Sequence, residues 1–364
     1  MIPSKQKVLE VLKDVVYFPK GSNIVDAQMI KDLEVGENLV RFKLVLDDVD
    51  DEKNQFLFES AKKILNDNFG DIDVDIIPTE PVTMLSKVKH IIAVASGKGG
   101  VGKSTVSVNL AIALATQGFK VGLLDADIYG PSVPIMFGIE GEQPQCYDKD
   151  GKTYMVPLEK YGIKLMSIGM MVDPSTPLIW RGPMATSALT QLMTETDWGE
   201  IDFLVVDMPP GTGDIQLCLA QNFKVSGSVI VTTPQKVAFA DVRRAANMFK
   251  HKGVSVPILG LVENMAYFTP SDMPDKKYYI FGEGHGKQFA EELGIPFLGA
   301  IPIDENIASA GDKGTPYTFG NFGPVTAAFE KVARRVIELI CYGKSSYRKE
   351  SQEYSDADRA LLEG

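Results

Sequence analysis

Three cysteines and three histidines in 364 residues leave little material for a disulfide framework or a zinc site. Cys146, Cys218 and Cys341 are far apart and odd in number, which fits a reducing compartment. No run of about eighteen uncharged apolar residues occurs, so no membrane-spanning helix is expected. The opening MIPSKQKVLE lacks the apolar stretch and small-residue cleavage site of a secretory signal, and a soluble, cytoplasmic protein is the expectation. Positive charge is scarce as well: the formal charge is −11 and the pI is near 4.9. A sequence-independent grip on nucleic acid needs clustered Lys and Arg, and a surface anchor needs a basic amphipathic helix. The chain shows no such basic stripe and finishes in SDADRALLEG, so neither nucleic acid nor membrane is expected as a partner.

What is present divides in two, as a length of 364 residues suggests. Residues 1–80 read as a small α/β domain: a helical pattern near Lys5–Val15, a strand in Leu39–Leu46, a helix in Gln55–Asn66 and a strand in Val74–Ile77. The prolines of IPTEP at 77–81 disfavour an interior strand, so residues 81–89 are assigned to a linker. From residue 90 short apolar runs alternate with helical patterns: IIAVA at 91–95, VGLLDAD at 121–127, FLVVD at 203–207, SVIVTT at 228–233, PILGLVEN at 257–264 and FLGAIP at 297–302. Continuous apolar strands between helices imply a mostly parallel sheet with helices on both faces, an α/β fold spanning 90–343. A helix is expected through Val325–Cys341, and residues 344–364 form a polar tail, poorly ordered or partly helical.

The first of these strands runs into Gly97-Lys98-Gly99-Gly100-Val101-Gly102-Lys103-Ser104-Thr105, after which VSVNLAIALATQG has helical periodicity and a stop at Gly118. Strand, glycine loop and helix together form a phosphate cradle, a P-loop for ATP. Glycines let backbone N–H groups turn inward, the helix N-terminus favours the anion, Lys103 reaches the terminal phosphates and the Ser104 hydroxyl can ligate Mg2+. Asp125 and Asp127 end the second strand at the carboxyl edge of the presumed sheet, where ligands bind. Asp127 is the candidate to orient or activate the attacking water and is also a candidate Mg2+ residue, direct or through water, and Asp125 either belongs to the metal's surroundings or caps the turn. Asp207 closes FLVVD as a Mg2+ carboxylate acting through water, and Gly211 and Gly213 beyond it suit a loop that senses the γ-phosphate, with a plain turn as the alternative for Asp214.

GKGGVGKST resembles the deviant Walker A loop of the ATPases that include MinD, ParA and the nitrogenase iron protein. That likeness implies a homodimer in which Lys98 reaches the partner's nucleotide and stabilises phosphoryl charge. With LLDADIYGPSVP, VVDMPPGTGD, VTTPQKVAFADVRRA and LVENMAYF, the chain over roughly 90–340 resembles the Mrp (ApbC) family of P-loop ATPases, implicated as iron–sulfur cluster carriers. The resemblance implies Mg2+-dependent ATP hydrolysis and iron–sulfur client or scaffold proteins as partners. It also implies an adenine pocket from Asn264, Pro302 and Asp304, and makes residues 1–80 similar to the small MIP18-like domain that often precedes this ATPase.

Two departures stand beside it. Carriers of the family generally place a CxxC pair soon after the ENM segment, and thiolates suit iron–sulfur centres. Here AYFTPSDMPDKKYYIFGEGHG contains no cysteine, and LDDVDDEKNQF lacks the reactive cysteine common in the small domain. No cluster ligand can therefore be carried over from the family. Cys218, in an apolar helical stretch, reads as a buried thiol, Cys146 as the exposed loop thiol in GEQPQCYDKD, and His285 as a loop residue. A carrier or assembly factor in iron–sulfur metabolism is the leading expectation. The alternatives are a nucleotide-switched spatial organiser and an ATP-dependent protein-binding switch without cluster carriage.

Overall fold

A computed structural model describes residues 3–46, 49, 51, 54–80, 83–149, 151–171 and 182–343, and the expected polar tail at 344–364 lies outside them. The chain divides into two compact units, Met1–Ser86 and Lys87–Gly364.

In the first unit, the strand Leu39–Val45 alternates strictly, with Val40, Phe42 and Leu44 buried and the residues between them turned outward. It pairs antiparallel with Ile30–Val35 and parallel with Asp73–Thr79. The helix Asn54–Phe69 buries Leu57, Ala61 and Leu65 at helical spacing, and the helix Lys5–Leu12, capped by Ser4, adds Val8 and Leu12 to the same core. The strand Ile30–Val35 has no clean alternation and carries a bulge, which is why its sequence gives no strand signal. Pro78 lies inside the Asp73–Thr79 strand opposite Leu44, although prolines at 77–81 were expected to disfavour an interior strand. That strand is an edge of its sheet, a place where a missing N–H need not interrupt the ladder.

The second unit is built on an eight-stranded sheet. Across it the strands run Leu158–Lys160, Ile163–Ser167, Val121–Asp125, Ile201–Asp207, Val88–Ser96, Gly227–Thr232, Ile258–Glu263 and Phe297–Ala300. All pairs are parallel except Leu158–Lys160 with Ile163–Ser167. Val121–Asp125 and Gly227–Thr232 are buried at every residue, as expected of strands covered on both faces. The first strand begins at Val88, after a 3-10 turn at Met84–Lys87, so part of the expected linker is regular structure. The helix Lys103–Thr116 is buried almost throughout and packs against Pro324–Cys341. Among the described residues, no helix is long and apolar enough to cross a membrane.

Two expectations about irregular segments change and a third is met. Cys146 lies in the strand Gln145–Lys149 of a hairpin with Lys152–Val156, not in a loop; Gly151, with φ of 76°, supplies the tight turn that the polar composition hid. His285 is the first residue of the helix Glu-rich at its end, His285–Leu293, not a loop residue, because Gly284 and Gly294 bracket that helix in left-handed conformations. Cys218 is buried in the helix Asp214–Asn222, as its apolar surroundings suggested.

Trp198 is the bulkiest of the fully buried side chains. Trp198→Ala is expected to cost about 3–5 kcal/mol of unfolding free energy, measured by guanidinium denaturation.

Candidate functional site: a phosphate cradle at the sheet's carboxyl edge

The glycine loop leaves the strand Val88–Ser96, which lies between Ile201–Asp207 and Gly227–Thr232 near the middle of the sheet. Two glycines are required by what surrounds them. A Cβ on Gly97 would stand 2.3 Å from the backbone of Asp241, so the loop and the helix Ala238–Lys250 approach as only backbone can. Gly102 has φ of 78°, and a Cβ there would stand 2.2 Å from Asn264 Nδ2. That Asn264 amide is buried and donates to the Val101 carbonyl at 2.9 Å, clasping the loop.

Lys103 opens the helix and is only 6% exposed. Its ammonium donates to Asp207 Oδ1 at 2.8 Å and to Ser104 Oγ at 3.2 Å, and lies 3.5 Å from Asp127 Oδ2. Ser107, one turn along the helix, donates to the same Asp207 oxygen at 2.6 Å. The other Asp207 oxygen, Oδ2, is buried with no hydrogen-bond partner. Burial pushes the Asp127 carboxyl up, partly offset by Lys103. Burial, and then the charge of Asp207, push Asp125 up to about 7.

The sequence-derived candidates separate into groups. Lys103, Ser104, Asp127 and Asp207 meet in one cluster, with Thr105 in the same first helical turn. Asp125 makes no hydrogen bond to the side chains of that cluster; its carboxylate accepts from the backbone N–H groups of Asp127 and Val133. Lys98 is held elsewhere, donating to Gln235 Oε1 at 3.1 Å. Asn264 spends its donor on the cradle, while Pro302 is buried and Asp304 caps the helix Glu305–Asp312 by accepting from Asn306 N–H. Gly99 and Gly100 complete the bend, the latter at φ of 79°. Gly211 donates its N–H to the Ser96 carbonyl at 2.8 Å, tying the loop after Asp207 to the cradle strand. Asp214 begins the helix Asp214–Asn222.

Several contributing residues were not among the sequence candidates. Ser107 could have been found by counting one helical turn from Lys103. Gln216 braces the bend after Asp207, accepting from Gly213 N–H at 2.9 Å and donating to the Pro209 carbonyl at 2.7 Å. The His285 ring donates to the Pro234 carbonyl at 2.7 Å through Nδ1, and Glu263 accepts the Gly286 N–H at 2.7 Å. No sequence spacing announces these long-range partners.

The residues fit a nucleotide and its metal. The cradle has no room for a Cβ at Gly102, the ammonium is already gathered with carboxylates it can exchange for phosphate, and Asp207 Oδ2 offers a free buried lone pair beside the Ser104 hydroxyl's helix turn. A glycine bend between a parallel strand and a buried helix, with its lysine on a strand-end aspartate, defines a P-loop nucleoside triphosphatase. Residues 87–337 match the model of the ParA family, described as NUBPL iron-transfer P-loop NTPase, and the chain belongs to that family. It is similar to the iron-sulfur cluster carrier protein of Aquifex aeolicus, 53% identical over 70% of this chain and 68% of that protein. The iron-sulfur cluster carrier protein of Synechocystis is 43% identical over 85% of this chain and 90% of its own length. Among solved structures, a nucleotide-binding protein from Archaeoglobus fulgidus in complex with ADP is 38% identical, with a TM-score of 0.57 over 66% of this chain and 92% of that one.

Two outcomes test the geometry. Gly102→Ala is expected to weaken ATP binding at least about tenfold, read by calorimetric titration, because the added methyl displaces Asn264 and strains the loop. Lys103→Ala is expected to lower the stability of the nucleotide-free protein by about 3 kcal/mol, since it strands the Asp207 charge; adding Asp207→Asn should recover part of the loss in the same denaturation assay.

Proposed function

We propose that this protein binds ATP with Mg2+, hydrolyses it slowly, and works as a cytoplasmic homodimer that carries or assembles iron–sulfur clusters for client or scaffold proteins. The observation that carries the catalytic part is the buried cluster of Lys103, Ser107 and Asp207, with Asp207 Oδ2 left open. In this reading Lys103 exchanges its carboxylate partners for the terminal phosphates, and Ser104 and Asp207 hold the metal, Asp207 through water. Mg2+, when bound, supplies positive charge at the phosphate oxygens. Asp127 orients a water whose oxygen bonds to the γ-phosphorus as the bond to the bridging oxygen of ADP breaks, giving ADP and inorganic phosphate with the water's proton released to phosphate or solvent. Lys98 is held by Gln235 away from the carboxylates, which suits a lysine that serves a second protomer's nucleotide. Asn264 lines the adenine side with its free Oδ1, and Pro302 and Asp304 lie beyond it in sequence at the same sheet edge.

The cargo part rests on the family's description as iron-transfer and on relatives named iron-sulfur cluster carriers. Residues 1–80 are proposed to act as the small MIP18-like domain. One observation favours a second reading, an ATP-dependent switch that engages the client without holding the cluster. The segment following Asn264 is cysteine-free and is closed by the Phe268–Tyr278 bridge, with Lys277 over the Tyr267 ring at 4.5 Å. Among the described residues, no group of three or more His, Cys, Asp or Glu is assembled to hold a metal ion.

Anaerobic reconstitution with iron and sulfide, followed by iron analysis and visible absorption, separates the two: a stoichiometric cluster supports carriage, and its absence from a protein that hydrolyses ATP supports the switch. Lys103→Ala is expected to remove Mg2+-dependent phosphate release, and turnover equal to the native protein would sink the assigned cradle.

A further inference from the structure

Asp125 ends its strand directly beside Asp207, yet both its oxygens are spent on protein groups. Oδ1 accepts from Asp127 N–H at 3.1 Å; Oδ2 accepts from Val133 N–H and from the Ser167 hydroxyl, each at 3.1 Å. The two backbone bonds grip both ends of the bend 126–133, on which Asp127 rides. Ser167 is wholly buried and pairs in register with Asp125 across the two strands. Its oxygen also accepts from Gly169 N–H at 3.0 Å, so the single hydroxyl proton is left for Asp125. A second contact joins the same two segments, because a Cβ on Gly169 would stand 3.0 Å from the Pro131 ring.

We infer that Ser167 is a positioning residue for ATP hydrolysis. It fixes the Asp125 carboxylate, which fixes the 126–133 bend, which sets the Asp127 carboxylate 3.5 Å from the Lys103 ammonium. The inference rests on the proposed role of Asp127 in orienting water. It also gives Asp125 an office distinct from metal binding. The contacts that shape the nucleotide cradle, Lys103 with Asp207 and Asn264 with Val101, do not pass through Ser167. Loss of the hydroxyl therefore acts on the chemical step and leaves binding alone, since a reacting group out of line by a fraction of an ångström costs rate.

The test uses the full chain and compares native protein, Ser167→Ala, Ser167→Thr, Asp127→Asn and the double variant Ser167→Ala with Asp127→Asn. Turnover, KM and ATP affinity by titration are measured for each. Ser167→Ala is expected to lower kcat roughly tenfold with KM and affinity within about twofold, and Ser167→Thr to restore most of the rate by returning the hydroxyl. In the Asp127→Asn background, Ser167→Ala is expected to cost less than about twofold more, because a residue that acts through Asp127 has nothing left to act on. Native turnover in Ser167→Ala, a loss confined to affinity, or full multiplication of the two defects overturns the inference while leaving the Asp127 assignment intact. An undiminished rate in Asp127→Asn overturns the role of Asp127 and the inference with it. Should Ser167→Ala not fold, Ser167→Cys, close in size and a weak donor, replaces it on the same criteria.

Discussion

A lysine ammonium buried against an aspartate at the end of a central strand is the contact on which the candidate site of the second unit is built. Lys103 is nearly and Asp207 wholly shielded from water, so each depends on the other and on the hydroxyls of Ser104 and Ser107 to offset lost hydration. The pairing also presets the site for an anion. Phosphate oxygens can take the place of carboxylates around the ammonium, and the aspartates so released are the groups a divalent cation needs. In the proposed reading, stability of the empty protein and affinity for nucleotide thus draw on one lysine.

Around that pair, backbone does most of the shaping. The cradle is closed from one side by Asn264 on the Val101 carbonyl, from another by the helix Ala238–Lys250 against Gly97, and from a third by Gly211 on the Ser96 carbonyl. Each of these partners sits just beyond the carboxyl end of a different strand. A parallel sheet brings such ends to one edge, so segments separated by more than a hundred residues become neighbours without a long loop.

The parts of this arrangement that were legible in the sequence are those governed by local rules. The apolar runs that became strands, the strand-to-glycine-to-helix transition and the aspartates closing VGLLDAD and FLVVD follow from periodicity and turn chemistry over ten or fifteen residues. Ile30–Val35 and Ile163–Ser167 were missed, the first for want of alternation, the second because polar residues interrupt its apolar run. Gln235, Gln216 and Ser167 were missed for a different reason: a polar side chain's partner is set by tertiary approach, and spacing along the chain does not encode it. Asp125 shows both limits at once. Its place at the ligand edge was readable, but that its carboxylate is consumed by amides two and eight residues ahead was only an alternative until the bend was seen.

The loop after Gly227–Thr232 carries two anchors on adjacent residues: the Pro234 carbonyl receives the His285 ring, and the Gln235 amide oxygen receives Lys98. Neighbouring residues share one planar peptide unit, so the two anchors sit on a single link of the chain. Lys98 is therefore tied, through a single peptide link, to the start of the helix His285–Leu293, 21 residues beyond Asn264. The glycine loop and the far end of the cysteine-free segment thus meet on one strand-end loop, although they share no ligand.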